Sequence, residues 1–530
     1  MRILRRIFVV TVLITALRGN ATQAQQLSTN QVIDRIVQRE NEEMKTLHQY
    51  DPIVETYVQD LRPDNELGMM SITDHYFLGR AILSEGTVQR PSGGKKNAKP
   101  KSVKLGGLGG VFDKKSAADG FLNLIYVDSN AFDHAHYRFD YVRREFLDEV
   151  RCFVFDVTPL GEKDGDRFLG RIWVEDRDYT IVRFNGANSS SEHSKGNRLH
   201  FDSWRVNVGP GMWVPAYVYS AESNAGDVLL NHLLFQAQTL LWGYNPKTHP
   251  DDDHVTASQA APGREAEEDG LDRLQAAGLL APAGPVDKVL YTIVNNLEVT
   301  NNLDIEPDVA CRVMLTSTLE SFTVGHTIFI SRGLLDILPD EASLAMVLAH
   351  ELGHILSGHT LADRWAVRDW SVLLVEDHFD HFDFPIDAPV EQAANAKTIQ
   401  LLNGSPYKDK LGNSVQFLQM LGTQAQSLPS LISPHLISEV SLANLLLTVA
   451  HSTPASKEQS ISALPMGSRI SLNPWTSKVD LQKSKLPALS SQKRQPLLIN
   501  PSIPHLIIQS TEGPEQRGKS ISTDASPQKN

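Results

Sequence analysis

The stretch VLAHELGHILSGH, which begins at Val347, sets His350, Glu351 and His354 in the order H-E-x-x-H, with a further histidine at His359. Imidazole nitrogens and carboxylate oxygens are zinc donors, and they have to suffice here: the only cysteines are Cys152 and Cys311, and there is no C-x-x-C. On a helix, residues four apart stand one above the other on one face, so His350 and His354 can reach a single ion at about 2.0 Å. Glu351 falls beside that ion rather than on it, where it can take a proton from a water that the ion activates. The chemistry implied is metal-assisted hydrolysis.

A helix is what the flanking residues predict. Leu344, Val347, Leu348, Leu352, Ile355 and Leu356 recur at spacings of three and four, Asp340 after Pro339 can cap the first turn, and Gly358 is placed to end the last. The strongly apolar flanks make this a buried helix. Ahead of it, a helix is expected from about Val286 to Val299, then strands at CRVMLTS and HTIFIS. At the N-terminal end, Val32, Ile33, Ile36 and Val37 mark a helical face, and the helix is expected to run from about Gln31 to Asp60. The stretches YRFDYVRREFLDEVRCFVFDVTP, RFLGRIWVEDRDYTIVRFNG and RLHFDSWRVNVGPGMWVPAYVYS are rich in aromatic and β-branched residues. They are punctuated by turns at Glu175-Asp176-Arg177-Asp178 and Gly209-Pro210-Gly211, which is an antiparallel meander with its aromatics as core. Between Asn245 and Pro285 the composition shifts to Asp, Ala, Pro, Gly and Glu, a linker in which DDDHV reads as solvated chain rather than a cation site. Beyond Ser452 the chain is polar and partly disordered, with SRISLNPWTSKVDL able to pack back on the body.

The net charge of −13 and the pI near 5.8 provide no basic footprint for nucleic acid, and GGKKNAKPK reads as a solvated loop. The opening MRILRRIFVVTVLITALRGNATQAQQ has Arg2, Arg5 and Arg6 ahead of an apolar run from Ile7 to Leu17. Thr22 and Ala24 then stand at signal-peptidase spacing, so cleavage is expected after Ala24. The mature chain is expected in the periplasm or secreted, with no integral span, which leaves room for peripheral association with the envelope. A bridge between Cys152 and Cys311 is allowed by export but not expected, since the two fall in different domains.

Over HTIFISRGLLDILPDEASLAMVLAHELGHILSGH the sequence resembles the HtpX-like zinc endopeptidases, a family that includes the CaaX prenyl proteases. In that family a strand with I-x-[VI]-[ST]-x-G-L-L leads into the H-E-x-x-H helix, as TIFISRGLLDIL does here. Family members take a glutamate from a later helix with a pattern close to E-x-x-A-[DN]. VEQAANAKTIQLLNGSPY supplies Glu391, followed by Ala394 and Asn395, the last where many members have aspartate. Glu320, Ser321 and Phe322 stand where many have Asn-Ala-Phe. The resemblance covers roughly Val286 to Leu421 and implies one zinc ion per chain, held by His350, His354 and Glu391, with protein or peptide substrates. The GRIWVEDRDYTIVR hairpin is similar to the half-barrel of LolA and LolB lipoprotein carriers. The fold expected is therefore α+β: a signal peptide (1–24), an antiparallel, half-barrel-like β-meander (27–244) and a linker (245–285). A mainly helical, zincin-type metallopeptidase domain with a small sheet (286–452) and a polar extension (453–530) follow.

The third ligand can also be reached from the residues alone. Catalytic zinc sites hold three protein donors and leave a position open. A metzincin would continue H-x-x-G-x-x-H, yet Ser357 stands at the glycine and Thr360 at the histidine, so His359 comes one residue early, turned about 100° away on a helix. His359 is read as a helix-end or packing histidine. In APVEQAANAKTIQLLNG, Ala393, Ala394, Ile399 and Leu402 face mostly inward and Gly404 ends the helix. Glu391 and Asn395 share a face, so that one can bind metal and the other can hydrogen-bond a ligating imidazole. Asp377, His378, Asp380, His381 and Asp383 in VEDHFDHFDFPIDAP suit a flap over a cleft better than a second metal site. Glu351 is the general base, the substrate is expected to extend beside the strand at GHTIFIS, and His435 and Tyr407 are candidates to stabilise the oxyanion. Peptide-bond hydrolysis is one reading. The alternative is an exported chaperone or lipoprotein-handling factor whose metal site is little used or inactive.

Overall fold

The computed structural model describes residues 28–64, 68–89, 121–129, 131–161, 167–188, 197–224, 233–245, 271–272, 274–358, 388–438, 440–449, 466–467, 469–482, 497–501 and 504–508. The expected signal peptide, His359, the flap segment and the chain end lie outside them.

Helix α1 (Thr29–Leu47) opens on a capping box, in which Gln31 N–H donates to Ser28 Oγ at 3.3 Å and Ser28 N–H donates to Gln31 Oε1 at 2.9 Å. It does not continue to Asp60. After Pro52 the chain enters β1 (Ile53–Asp64), where Ile, Val, Thr and Tyr alternate and each residue from Ile53 to Asp60 pairs on both sides. Two flanking strands thus overrode the helical expectation. Strands β2 (Gly68–Ile82), β3 (Thr87–Gln89), β4 (Tyr137–Leu147), β5 (Val150–Pro159), β6 (Phe168–Glu175) and β7 (Ile181–Asn188) follow, then β8 (Asn197–Gly209), β9 (Met212–Asn224) and β10 (Leu233–Trp242). All are antiparallel in one sheet of order β3-β2-β1-β10-β9-β8-β7-β6-β5-β4. The expected meander is β4 to β9; β10 and the N-terminal strands extend it.

Both faces of this sheet are covered over most of its strands, the edge strand β4 being largely exposed. One packs against α1 and residues 121–127, where Arg205 makes a paired contact with Glu40 at 2.6 Å through each nitrogen and reaches Glu43 at 3.1 Å. On the other, successive outward residues of β1 meet the rest of the chain: Ile53 and Tyr57 join a core shared with the helices that follow, whereas Val54 and Val58 face α1. The C-terminal Leu506 covers Trp173, Trp204 and Trp213 on the same outer face.

The described part of the stretch expected as linker is core rather than spacer from Leu274 on. Leu274, Leu279 and Leu280 are buried, Ala281 N–H donates to Val313 O at 2.9 Å, and Leu315 N–H donates to Leu279 O at 2.8 Å. Helix α2 (Pro285–Thr300) leads to a small sheet of β11 (Ala310–Met314), β12 (Ser321–Val324) and β13 (Thr327–Ser331). Its order is β11-β13-β12, so β13 is central and β12 an edge. Helices α3 (Arg332–Ile337), α4 (Glu341–Leu356), α5 (Ala388–Asn403), α6 (Gly412–Gln424), α7 (Pro434–Ser438) and α8 (Val440–Val449) complete this part. A hairpin of β14 (Ile470–Leu472) and β15 (Val479–Leu481) packs back on it, with the Arg469 and Ile470 N–H groups donating to Asp336 at 2.7 and 2.9 Å. Cys152 and Cys311 are free thiols, each raised to about 12 by burial.

Candidate metal centre

Helix α4 is buried on every side from Ala342 to Ile355, as its apolar sequence requires. Asp340 caps it, accepting from Ser343 N–H at 2.8 Å, and Gly358 beyond its end takes φ +68°, a conformation costly to other residues. This sets His350 and His354 one turn apart with Nε2 atoms 3.1 Å from each other. Helix α5 crosses close by. A Cβ on Gly353 would stand 2.8 Å from Ala394 O, so the glycine between the two histidines is what lets α5 approach. The approach brings Glu391 to His350 Nε2 at 3.5 Å and to His354 Nε2 at 3.6 Å, through different carboxylate oxygens.

Three donors placed tetrahedrally about 2.0–2.1 Å from an ion lie about 3.3 Å from one another. The two imidazole nitrogens stand 3.1 Å apart and each lies 3.5 or 3.6 Å from its own oxygen of the Glu391 carboxylate, separations of that order, and the nitrogen and oxygen donors suit a divalent metal ion such as zinc. Asn395 is buried one turn beyond Glu391 on the same helix. His435, at the start of α7, is the fourth member of the group, whose ligand atoms all lie within 4.8 Å of one another.

Glu351 is fully buried yet kept ionised. Thr323 Oγ1 donates to its Oε2 at 2.8 Å, and His435 Nε2 stands 3.4 Å from its Oε1. Burial pushes the carboxyl up, but His435, through both hydrogen bonding and charge, with His354 and His350, outweighs it and holds Glu351 at about 2. Glu391 likewise ends at about 2: burial raises it, and the hydrogen bond from His350 with the charges of His435, His350 and His354 lowers it further. His354 is lowered to about 4, by burial first and then by His350, so near neutral pH it is an uncharged imidazole with a lone pair to offer.

Of the two residues considered for the oxyanion, only His435 is brought to the group. Tyr407 lies at the other end of α4: its hydroxyl donates to Glu341 Oε1 at 3.0 Å and accepts from Asn296 at 3.5 Å, nine residues, or about 13 Å of helix, before His350. The strand at Thr327–Ser331 is likewise not open to a substrate, because β11 and β12 flank it. Thr323 had no signal in the sequence. It belongs to a four-residue strand, and only the register of β12 on β13 turns its hydroxyl toward α4.

A buried carboxylate beside a cluster of two histidines and a glutamate is an arrangement compatible with a metallopeptidase. In agreement, residues 292–374 match the model of Peptidase family M48, a family of metal-dependent peptidases. The matched stretch takes in His350, Glu351 and His354 and ends before Glu391 and His435. No curated protein matches the chain.

Proposed function

We propose that this protein is a zinc-dependent endopeptidase of the HtpX-like kind, exported after removal of residues 1–24 and acting on envelope or secreted proteins as quality control. The observation that carries the reading is Glu351, an ionised carboxylate held between Thr323 and His435, one residue from His350 and linked to Glu391 through the two ring nitrogens of His435. His350, His354 and Glu391 would hold the ion, which when bound polarises a peptide carbonyl and makes a water acidic near neutral pH. Glu351 takes the proton from that water and passes it to the leaving amine. Thr323 keeps Oε2 in place during the transfer, and His435, on the opposite oxygen, is the donor assigned to the developing oxyanion.

Strand β12 is where a substrate would lie. Ser331 N–H donates to Glu320 O at 3.0 Å, so in this antiparallel register the backbone of Ser321 and Thr323 points away from β13. Among the described residues no strand pairs with that side, and an extended peptide added there would run past Glu351.

The test is digestion of an unfolded protein by the purified mature chain, with and without chelator, and with Glu351→Gln. Cleavage should stop on chelation and return with zinc. Glu351→Gln should keep its metal and lose at least about a thousandfold in kcat. A zinc-loaded parent that binds unfolded protein but leaves it intact would favour the chaperone reading. N-terminal sequencing starting near Gln25 in the soluble exported fraction would support export, and Met1 retained in a membrane pellet would count against it.

A further inference from the structure

The large sheet reaches the metal centre through two buried carboxylates, and one of them leads to His435. Asp74, on β2, accepts Ser430 N–H through Oδ1 and Leu431 N–H through Oδ2, both at 2.8 Å. The Ser430 hydroxyl donates to Asp74 O at 3.3 Å. On the sheet side, Tyr57 donates to Asp74 Oδ2 at 3.1 Å and itself accepts from Gln59 at 3.0 Å, so the carboxylate is fixed from behind. Next, Leu319 N–H donates to Leu431 O at 2.7 Å and Ser433 N–H donates to Leu319 O at 3.0 Å. Four residues after Leu431 comes His435, whose own N–H donates to Ser433 Oγ at 3.3 Å. Glu55, on β1, makes the parallel contact: it accepts Ser317 N–H and Ser317 Oγ–H at 2.6 Å each, just ahead of Leu319 and β12.

We propose that Asp74 is a positioning residue for the peptidase site, fixing through the Ser430 and Leu431 amides the turn that delivers His435 to Glu351 and Glu391. Helix α7 has five residues, too few to hold its own geometry, so the chain that enters it sets where His435 stands. A buried carboxylate accepting two backbone N–H groups is a directional, charge-assisted anchor. The same short segment is bonded to Leu319, two residues before β12, which carries Thr323 to the other oxygen of Glu351. The N-terminal sheet is thereby part of the active-site scaffold rather than a separate binding module. This inference rests on the peptidase reading.

The experiment uses the full mature chain and its variants Asp74→Asn and Asp74→Ala. Val58→Ala, which truncates the sheet core on the other face, serves as a control for lost stability alone. Amide exchange over residues 430–435 is followed on the metal-free protein, and kcat and KM are measured on the zinc-loaded one. For Asp74→Ala, exchange in that segment should rise at least about tenfold and kcat fall about tenfold to a hundredfold. KM should stay within about twofold and zinc content should match the parent. Asp74→Asn, which retains one acceptor oxygen, should fall between, and Val58→Ala should melt earlier with parental exchange at 430–435 and parental kcat. The inference is overturned if folded Asp74→Asn and Asp74→Ala keep parental exchange in 430–435, or if their kcat losses merely follow their melting temperatures as in Val58→Ala. Should Asp74→Ala fail to fold, Asp74→Asn decides. A parent that cuts nothing refutes the peptidase reading instead, and the exchange arm still judges the anchor.

Discussion

Thr323 donates its hydroxyl proton to Glu351 Oε2 at 2.8 Å, tying the edge strand of the small sheet to the carboxylate proposed as the general base on α4. The contact is buried at both ends, where a hydrogen bond to a charged group contributes about 1.5–3 kcal/mol. Thr323→Val keeps the shape and removes the donor. It should lower kcat about tenfold or more while zinc content and fold are retained, whereas Thr323→Ser should keep most of the activity. Equal kcat for the Val variant and the parent in a peptide assay would show that the strand does not orient the base.

Glu391 and His359 differ in what their loss should do to metal. Glu391 lies against both His350 and His354, and replacing it with Ala would remove one of the three proposed protein donors and the negative charge that would balance the ion. Zinc affinity and activity should fall together. His359→Ala should leave zinc bound. Metal analysis of the two purified variants decides it: zinc kept without Glu391 and lost without His359 would mean the wrong third ligand and the wrong class of protease.

Gly353 is a packing requirement of the centre. Ala at this position would place a methyl 2.8 Å from Ala394 O, and backbone cannot yield as a side chain can. Gly353→Ala should push α5 outward, costing about 1–3 kcal/mol of stability and weakening zinc binding through Glu391. Calorimetry with a zinc titration would register both, and parental values in both would show that α5 has slack.

Far from the centre, the pair of carboxylates on Arg205 should make stability depend on pH. Glu40 takes both nitrogens of the guanidinium, and burial raises Glu43 from 4.5 to about 7, with Arg205 only partly opposing. The unfolded chain releases this proton near 4.5, so the folded state keeps it over a window in which the unfolded state does not. The stabilisation from that proton is complete below 4.5 and is lost as pH rises through about 7, by on the order of 3 kcal/mol. Glu43→Gln should therefore flatten the fall in stability between pH 5 and 8. Urea unfolding of parent and variant at both pH values measures the difference, and identical slopes would place the ionisation of Glu43 at its ordinary value.

What the sequence determined by itself was the chemistry of α4 and its partner helix. The H-E-x-x-H spacing, the cap at Asp340, the stop at Gly358 and the shared face of Glu391 and Asn395 are all short-range features, set by a helical period that repeats within a few residues. The meander from β4 to β9 was legible for the same reason, since its strands pair with their sequence neighbours. Tertiary structure alone decided what depends on distant pairing. Ile53–Asp60 became a strand because β2 and β10 lie on either side of it; β12 became the edge strand because β11 returned parallel to β13. His435 rather than Tyr407 reached Glu351 because the segment before α7 is hydrogen-bonded to Asp74, 356 residues earlier in the chain. Side chains that meet across such separations carry no periodicity to announce them. Their contact follows from the packing of whole elements, which no local window of residues contains.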